Sequence, residues 1–125
     1  MSQEEIIKIV LGEAFHIHKS IGPGMLEMVY KECLAFRLRE RGLSIETEKP
    51  IAVVFESVKM ECGYRADIVV EHMVVIETKS IDAIDPLQIA QVLTYLRFLH
   101  MRYGLILNFN TVLMKNGIKR VLNGF

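Results

Sequence analysis

The chain has no apolar run approaching the roughly 18–20 residues of a membrane span. It also has no net charge, since fifteen basic residues balance fifteen acidic ones. That balance excludes a strongly basic nucleic-acid coat and leaves a local basic groove open. Cysteine is scarce. Cys33 and Cys62 lie far apart, neither in a Cys-x-x-Cys pair, and both read as buried free thiols rather than a disulfide or zinc site. No Gly-rich phosphate loop, nucleophile elbow or His-Glu-x-x-His motif occurs. Repeats, low-complexity tracts and linkers are lacking too. The start, Met1-Ser2-Gln3-Glu4-Glu5, has no basic leader, so the expected location is the cytoplasm, away from membranes.

What is present is a well-mixed globular composition. The chain has 125 residues, 51% hydrophobic and 24% charged, with 8 Gly and 3 Pro. That fits a single domain over 1–125 with its own core. Ile6, Ile7, Val10, Leu11, Ala14, Phe15 and Ile17 repeat at helical spacing over 4–20. Gly22-Pro23-Gly24 breaks that helix, and a second is predicted over 25–41 with Gly42 as its stop. After Gly42 the period becomes that of strands: 43–48, then 51–55 turning at Glu56-Ser57 into 58–60, then 64–70 and 74–79. Asp85-Pro86 opens a third helix running to about His100, with a buried strand after it over 103–108. Lys115-Asn116-Gly117 is a turn signal expected to join two short strands in the tail. The expected class is α/β, with a mixed central sheet flanked by helices.

Three side-chain constellations carry chemistry. In the first, Asp67 precedes Ile68-Val69-Val70, and Glu77 and Lys79 follow Val74-Val75-Ile76. Such continuous apolar runs mark strands buried on both faces. Glu77 and Lys79, at i and i+2, share a face. A hairpin centred on His72 sets Asp67 opposite Glu77, with β-carbons roughly 4.5–5.5 Å apart. Two carboxylates so placed repel, and a divalent cation removes that cost. Mg²⁺ or Mn²⁺ suits these oxygen ligands, with the Thr78 carbonyl as a further one. Lys79 beside them would orient water or stabilise developing phosphate charge. A turn shifted by one residue breaks the pairing. The plain alternative is a solvated strand end with a Glu77–Lys79 ion pair.

The second constellation is Gly24-x-x-Glu27-x-x-Tyr30. Glu27 and Tyr30, at i and i+3, are helix neighbours directly after the Gly-Pro-Gly turn. Its plain alternative is a first-turn Glu complementing the helix dipole and a core Tyr. The third is a polar stripe of Gln88, Gln91 and Tyr95 on an otherwise apolar helix. It either faces solvent or meets the Asp67–Glu77–Lys79 end.

The order helix, antiparallel strands, Asp, Glu-x-Lys, helix, strand resembles the PD-(D/E)XK nuclease superfamily. Within it, Gly24-x-x-Glu27-x-x-Tyr30 looks like the signature of the GxxExxY protein family. Ile21-Gly22-Pro23-Gly24, Gly63-Tyr64-Arg65-Ala66-Asp67 and Asn116-Gly117-Ile118-Lys119-Arg120 fit as well. The resemblance implies a restriction-endonuclease-like αβββαβ core with an extra N-terminal helix. It implies Asp67 and Glu77 as metal ligands, Lys79 as the catalytic lysine, Glu27 approaching the metal, and Gln91 in a helix-glutamine role. Thr78 departs from the more usual apolar residue, which leaves its backbone carbonyl unaffected.

The expected function is therefore metal-dependent hydrolysis of phosphodiester bonds in DNA or RNA, with Mg²⁺ or Mn²⁺ as cofactor. Catalysis falls to Asp67, Glu77, Lys79 and Glu27. Tyr30, Gln88, Gln91 and Tyr95 are expected behind the ligands or against phosphate. A core this small is compatible with work as a homodimer. The alternative is a non-catalytic interaction module of the same fold, acting through a protein partner.

Overall fold

The protein is described by a computed structural model, in which residues 1–124 are described. Helix α1 spans Gln3–Ile21 and opens on a reciprocal cap, Ser2 with Glu5. Helix α2 spans Glu27–Glu40. Strand β1 (Ile45–Pro50) is followed by the short strands β2 (Val53–Phe55) and β3 (Val58–Met60). Next come β4 (Arg65–Val70), β5 (Val74–Lys79), helix α3 (Pro86–Leu99) and β6 (Tyr103–Asn108). A 3₁₀ turn at Met114–Gly117 leads into β7 (Ile118–Leu122).

Five strands form one mixed sheet in the order β1-β4-β5-β6-β7. β4 is antiparallel to β1 and β5, whereas β5 and β6 run parallel. Helix α3 is the crossover that a parallel pair requires. This is the expected mixed α/β sheet with helices on both faces and an additional helix at the start, consistent with a restriction-endonuclease-like fold. The sheet faces divide the core. Ile68, Val70, Val74, Ile76, Leu105 and Leu107 pack against α1 and α2. Ala66, Val69, Val75, Ile106 and Val121 pack against α3. Alternation from Ile68 to Val70 and along β5 and β6 fixes which helix each side chain meets, and Ala66 departs from it, lying on the α3 side although Ile68 faces α1 and α2.

Local expectations needed correction at several places. The first strand, expected over 43–48, runs Ile45–Pro50 and so takes in Pro50, tolerated because β1 is an edge strand. β2 and β3 form a separate two-stranded hairpin. The tail holds one strand where two were expected. Lys115-Asn116-Gly117 lies in the 3₁₀ turn, and β7 pairs with β6 instead of with a neighbour across that turn. Gly117 is packed so closely that a Cβ there would stand 1.9 Å from the Asn108 carbonyl oxygen. Cys33 is half-buried and Cys62 is exposed, because Cys62 lies in the loop between β3 and β4 rather than inside an element.

Candidate active site

The site is built where β4 and β5 part. Their ladder runs Val70–Val74, Val69–Val75 and Ile68–Ile76, the register of a turn centred on His72. One step further the strands cease to pair backbone to backbone, and side chains replace the ladder. The Asp67 amide donates to Glu77 Oε2 over 2.8 Å. In return Asp67 Oδ2 accepts from the Thr78 amide at 2.9 Å and from Thr78 Oγ1 at 3.1 Å. Each carboxylate thus holds the other strand. Asp67 Oδ1 and Glu77 Oε1 have no protein donor among the described residues, and neither is a sealed, unpartnered atom.

Burial dominates the electrostatics here. It pushes the Glu77 carboxyl up to about 8, helped by the negative charge of Asp67 and, more weakly, of Glu27. The Asp67 hydrogen bond and the Lys79 charge pull the other way. Asp67 is also raised, chiefly by burial, against its Thr78 hydrogen bonds and Lys79. Lys79, the last residue of β5, forms no ion pair with Glu77 among the described residues.

Alternation along β5 points Thr78 to the α1/α2 side and Glu77 and Lys79 to the α3 side. On the α2 side, Asp67 and Thr78 line a cavity of about 220 Å³ together with Glu27, Met28, Lys31 and Glu48. Glu27 is the first residue of α2. Lys31, one turn on, is bonded to Glu48, which holds the amine above its ordinary value. The sequence reading missed Lys31 and Glu48. Glu48 sits opposite Asp67 in the continued β1–β4 register, between the Thr47–Ile68 and Lys49–Ala66 pairs, and has a left-handed φ of 52°. Backbone strain at a non-glycine residue often accompanies functional sites. The available signal was the Glu27/Lys31 helical spacing.

Tyr30 explains the Gly-x-x-Glu-x-x-Tyr spacing without lining this cavity. It is fully buried, its ring stacked on Phe109 at 4.4 Å between centroids. Its hydroxyl donates to the Gly22 carbonyl at 2.6 Å and accepts from the Met25 amide at 3.1 Å. Gly24 takes φ 97°, a conformation side chains rarely adopt. Ser80 Oγ then donates to the Met25 carbonyl at 2.6 Å. The start of α2 is thereby tied to the residue following Lys79.

The α3 stripe divides. Gln88 is spent on the helix start: its Oε1 accepts from the Asp85 amide, and its own amide donates to Asp85 Oδ1, both at 2.9 Å. Gln91 is exposed and lines a separate, larger cavity. Tyr95 is buried, lines that same cavity, and lies close enough for Glu77 and Asp67 to act on its hydroxyl, which burial and those charges raise. The structure therefore gathers Asp67, Thr78 and Glu27 around one cavity. It sets Glu77, Lys79 and Tyr95 on the other side of the fork and leaves Gln88 as a cap.

No group of three His, Cys, Asp or Glu side chains is assembled as a metal cage among the described residues. The donors nonetheless fit a hard divalent cation. Two adjoining carboxyls, half-buried Asp67 and buried Glu77, each keep an unbonded oxygen, and neither forms an ion pair among the described residues. No helix among the described residues is long and apolar enough to cross a membrane.

The model of a family described as the PD-(D/E)XK nuclease superfamily matches residues 4–121. No curated protein and no solved structure matches.

Proposed function

The chain belongs to the PD-(D/E)XK nuclease superfamily, and on that premise we propose that it is a metal-dependent nuclease acting on DNA or RNA. Nucleases of this superfamily generally use divalent metals. The observation that carries the reading is the carboxyl pair at the β4–β5 fork: half-buried Asp67 and buried Glu77, each bonded to the other strand and both raised.

In this reading Asp67, Glu77 and the Thr78 carbonyl would hold Mg²⁺ or Mn²⁺, with Glu27 available from the head of α2. When bound, the ion supplies a water of lowered pKa and neutralises charge on the scissile phosphate. The chain's residues do the remainder. Lys79 orients the attacking water or stabilises charge on the phosphate. Glu77 would hold the ion as the carboxylate, its proton passing to solvent. Tyr30 and Ser80 fix the loop that presents Glu27. Lys31, held by Glu48, sets a second cation at the cavity rim. One water is consumed per bond, and the products are a phosphate monoester and a hydroxyl.

On the Gly24, Glu27 and Tyr30 spacing, we place the chain among the GxxExxY proteins. A cytoplasmic location and a working homodimer belong to the same proposal. A cleavage assay on single- and double-stranded DNA and RNA with Mg²⁺ or Mn²⁺ tests it. Wild type cleaves at least one of these, and Glu77→Ala, with unchanged circular dichroism, does not. Retained cleavage in Glu77→Ala removes the assignment. Absence of divalent-metal binding favours an interaction module instead.

A further inference from the structure

A cavity beside α3 is left unused by the nuclease reading. It has a volume of about 560 Å³, within the range of small-ligand pockets. One wall is the detached hairpin, through the cross-strand pair Val53 and Met60. The hairpin stem is tied down where the Ile51 amide donates to the Tyr64 carbonyl over 2.8 Å. The opposite wall is α3, through Gln91, Thr94, Tyr95 and Phe98. No Asp, Glu, Lys or Arg lines the cavity. A phosphate has no counter-charge there, and a neutral ligand needs none.

The lining is also specific in kind. Tyr64 and Tyr95 meet at a tilt of 59° with centroids 6.1 Å apart, and Tyr64 is 45% exposed. An accessible aromatic face is what a planar ring stacks on. Two polar groups stand beside it. The Gln91 amide is unbonded among the described residues, and offers both donors and an acceptor. Thr94 Oγ1 donates to the Ala90 carbonyl at 3.0 Å and keeps its acceptor capacity. Tyr95 belongs to both places: it lines the cavity and lies within reach of the Glu77 charge.

We propose that this cavity receives an unpaired nucleobase of the substrate, stacked on Tyr64 and read along its edge by Gln91 and Thr94. The inference rests on the nuclease reading and deepens it, because it makes the substrate single-stranded or locally unpaired at the nucleotide beside the cut. In a blunt duplex every base is stacked and paired, and the cavity stays unfilled.

The test is fluorescence anisotropy with three labelled probes: a single-stranded oligonucleotide, its blunt duplex, and an abasic strand of equal length and charge. Ca²⁺ replaces Mg²⁺ to hold off hydrolysis. Wild type binds the single strand tighter than the other two. Tyr64→Ala weakens single-strand binding roughly ten-fold, the scale of one lost base stack, and leaves the other two within about two-fold. Gln91→Ala, at an exposed position, changes the order of preference among homopolymer strands. The pocket is refuted if the abasic strand binds as well as the single strand, if neither substitution alters binding, or if wild type binds no strand. The two readings separate in Asp67→Asn. Intact base-dependent binding there with unaltered Mn²⁺ binding sinks the nuclease reading and leaves the pocket. Lost Mn²⁺ binding with no base dependence does the reverse.

Discussion

Glu77 holds Asp67 across a gap in the sheet: the Asp67 amide donates to Glu77 Oε2 at 2.8 Å, one step past the last backbone pair of β4 and β5. The carboxylate replaces a ladder bond. A site is thus opened in the middle of the sheet without orphaning the Asp67 amide.

This arrangement makes stability depend on pH in a stated direction. In the unfolded chain Glu77 ionises near its ordinary value of 4.5, whereas in the fold it keeps its proton to about 8. Between those limits the unfolded state binds fewer protons, so stability falls as pH rises and flattens above about 8. One group contributes at most about 1.4 kcal/mol per pH unit. Glu77→Gln should remove most of that slope. Urea denaturation in EDTA at a series of pH values checks it, and parallel curves for the two proteins would contradict it.

Metal uptake should carry the complementary signature. A cation that binds ionised Glu77 displaces its proton, so Mn²⁺ affinity rises with pH up to about 8 and binding releases protons. Calorimetry in two buffers of different ionisation enthalpy measures the release. Equal heats in both would argue against Glu77 as a ligand.

Tyr30→Phe removes the hydroxyl shared by Gly22 and Met25 while keeping the stack on Phe109. The expected cost is about 1–2 kcal/mol of stability, the net worth of two hydrogen bonds whose partly exposed partners can turn to water. Mn²⁺ affinity should fall as Glu27 loses its fixed approach. A variant matching wild type in both respects would show that the loop needs no such tie.

Lys31→Met should act oppositely on the two ligands. Removing a cation beside Asp67 and Glu48 tightens Mn²⁺ binding by roughly three-fold, the size of a weak charge interaction. Nucleic-acid binding should weaken. Weakened binding of both would instead mean that Lys31 serves mainly to hold the cavity together.

Much of this was legible in the residues. The apolar runs 68–70 and 74–76 placed two central strands, and the His72 turn set their register. Asp85-Pro86 marked the start of α3. Three things were hidden for physical reasons. The face on which each carboxyl ends depends on the strands parting at Asp67, which alternation alone does not anticipate. Glu48 reaches the cavity from β1 through a left-handed residue and a non-local pairing. Gln88 has the spacing of a site residue, yet it completes the reciprocal cap that Asp85 begins.

The most direct test of the central claim is a calorimetric Mn²⁺ titration of the protein beside Asp67→Asn, which needs no knowledge of the substrate. The account predicts saturable binding by wild type that the variant loses while keeping its fold. Undiminished binding by Asp67→Asn, or no binding by wild type, would contradict a metal site at the β4–β5 fork.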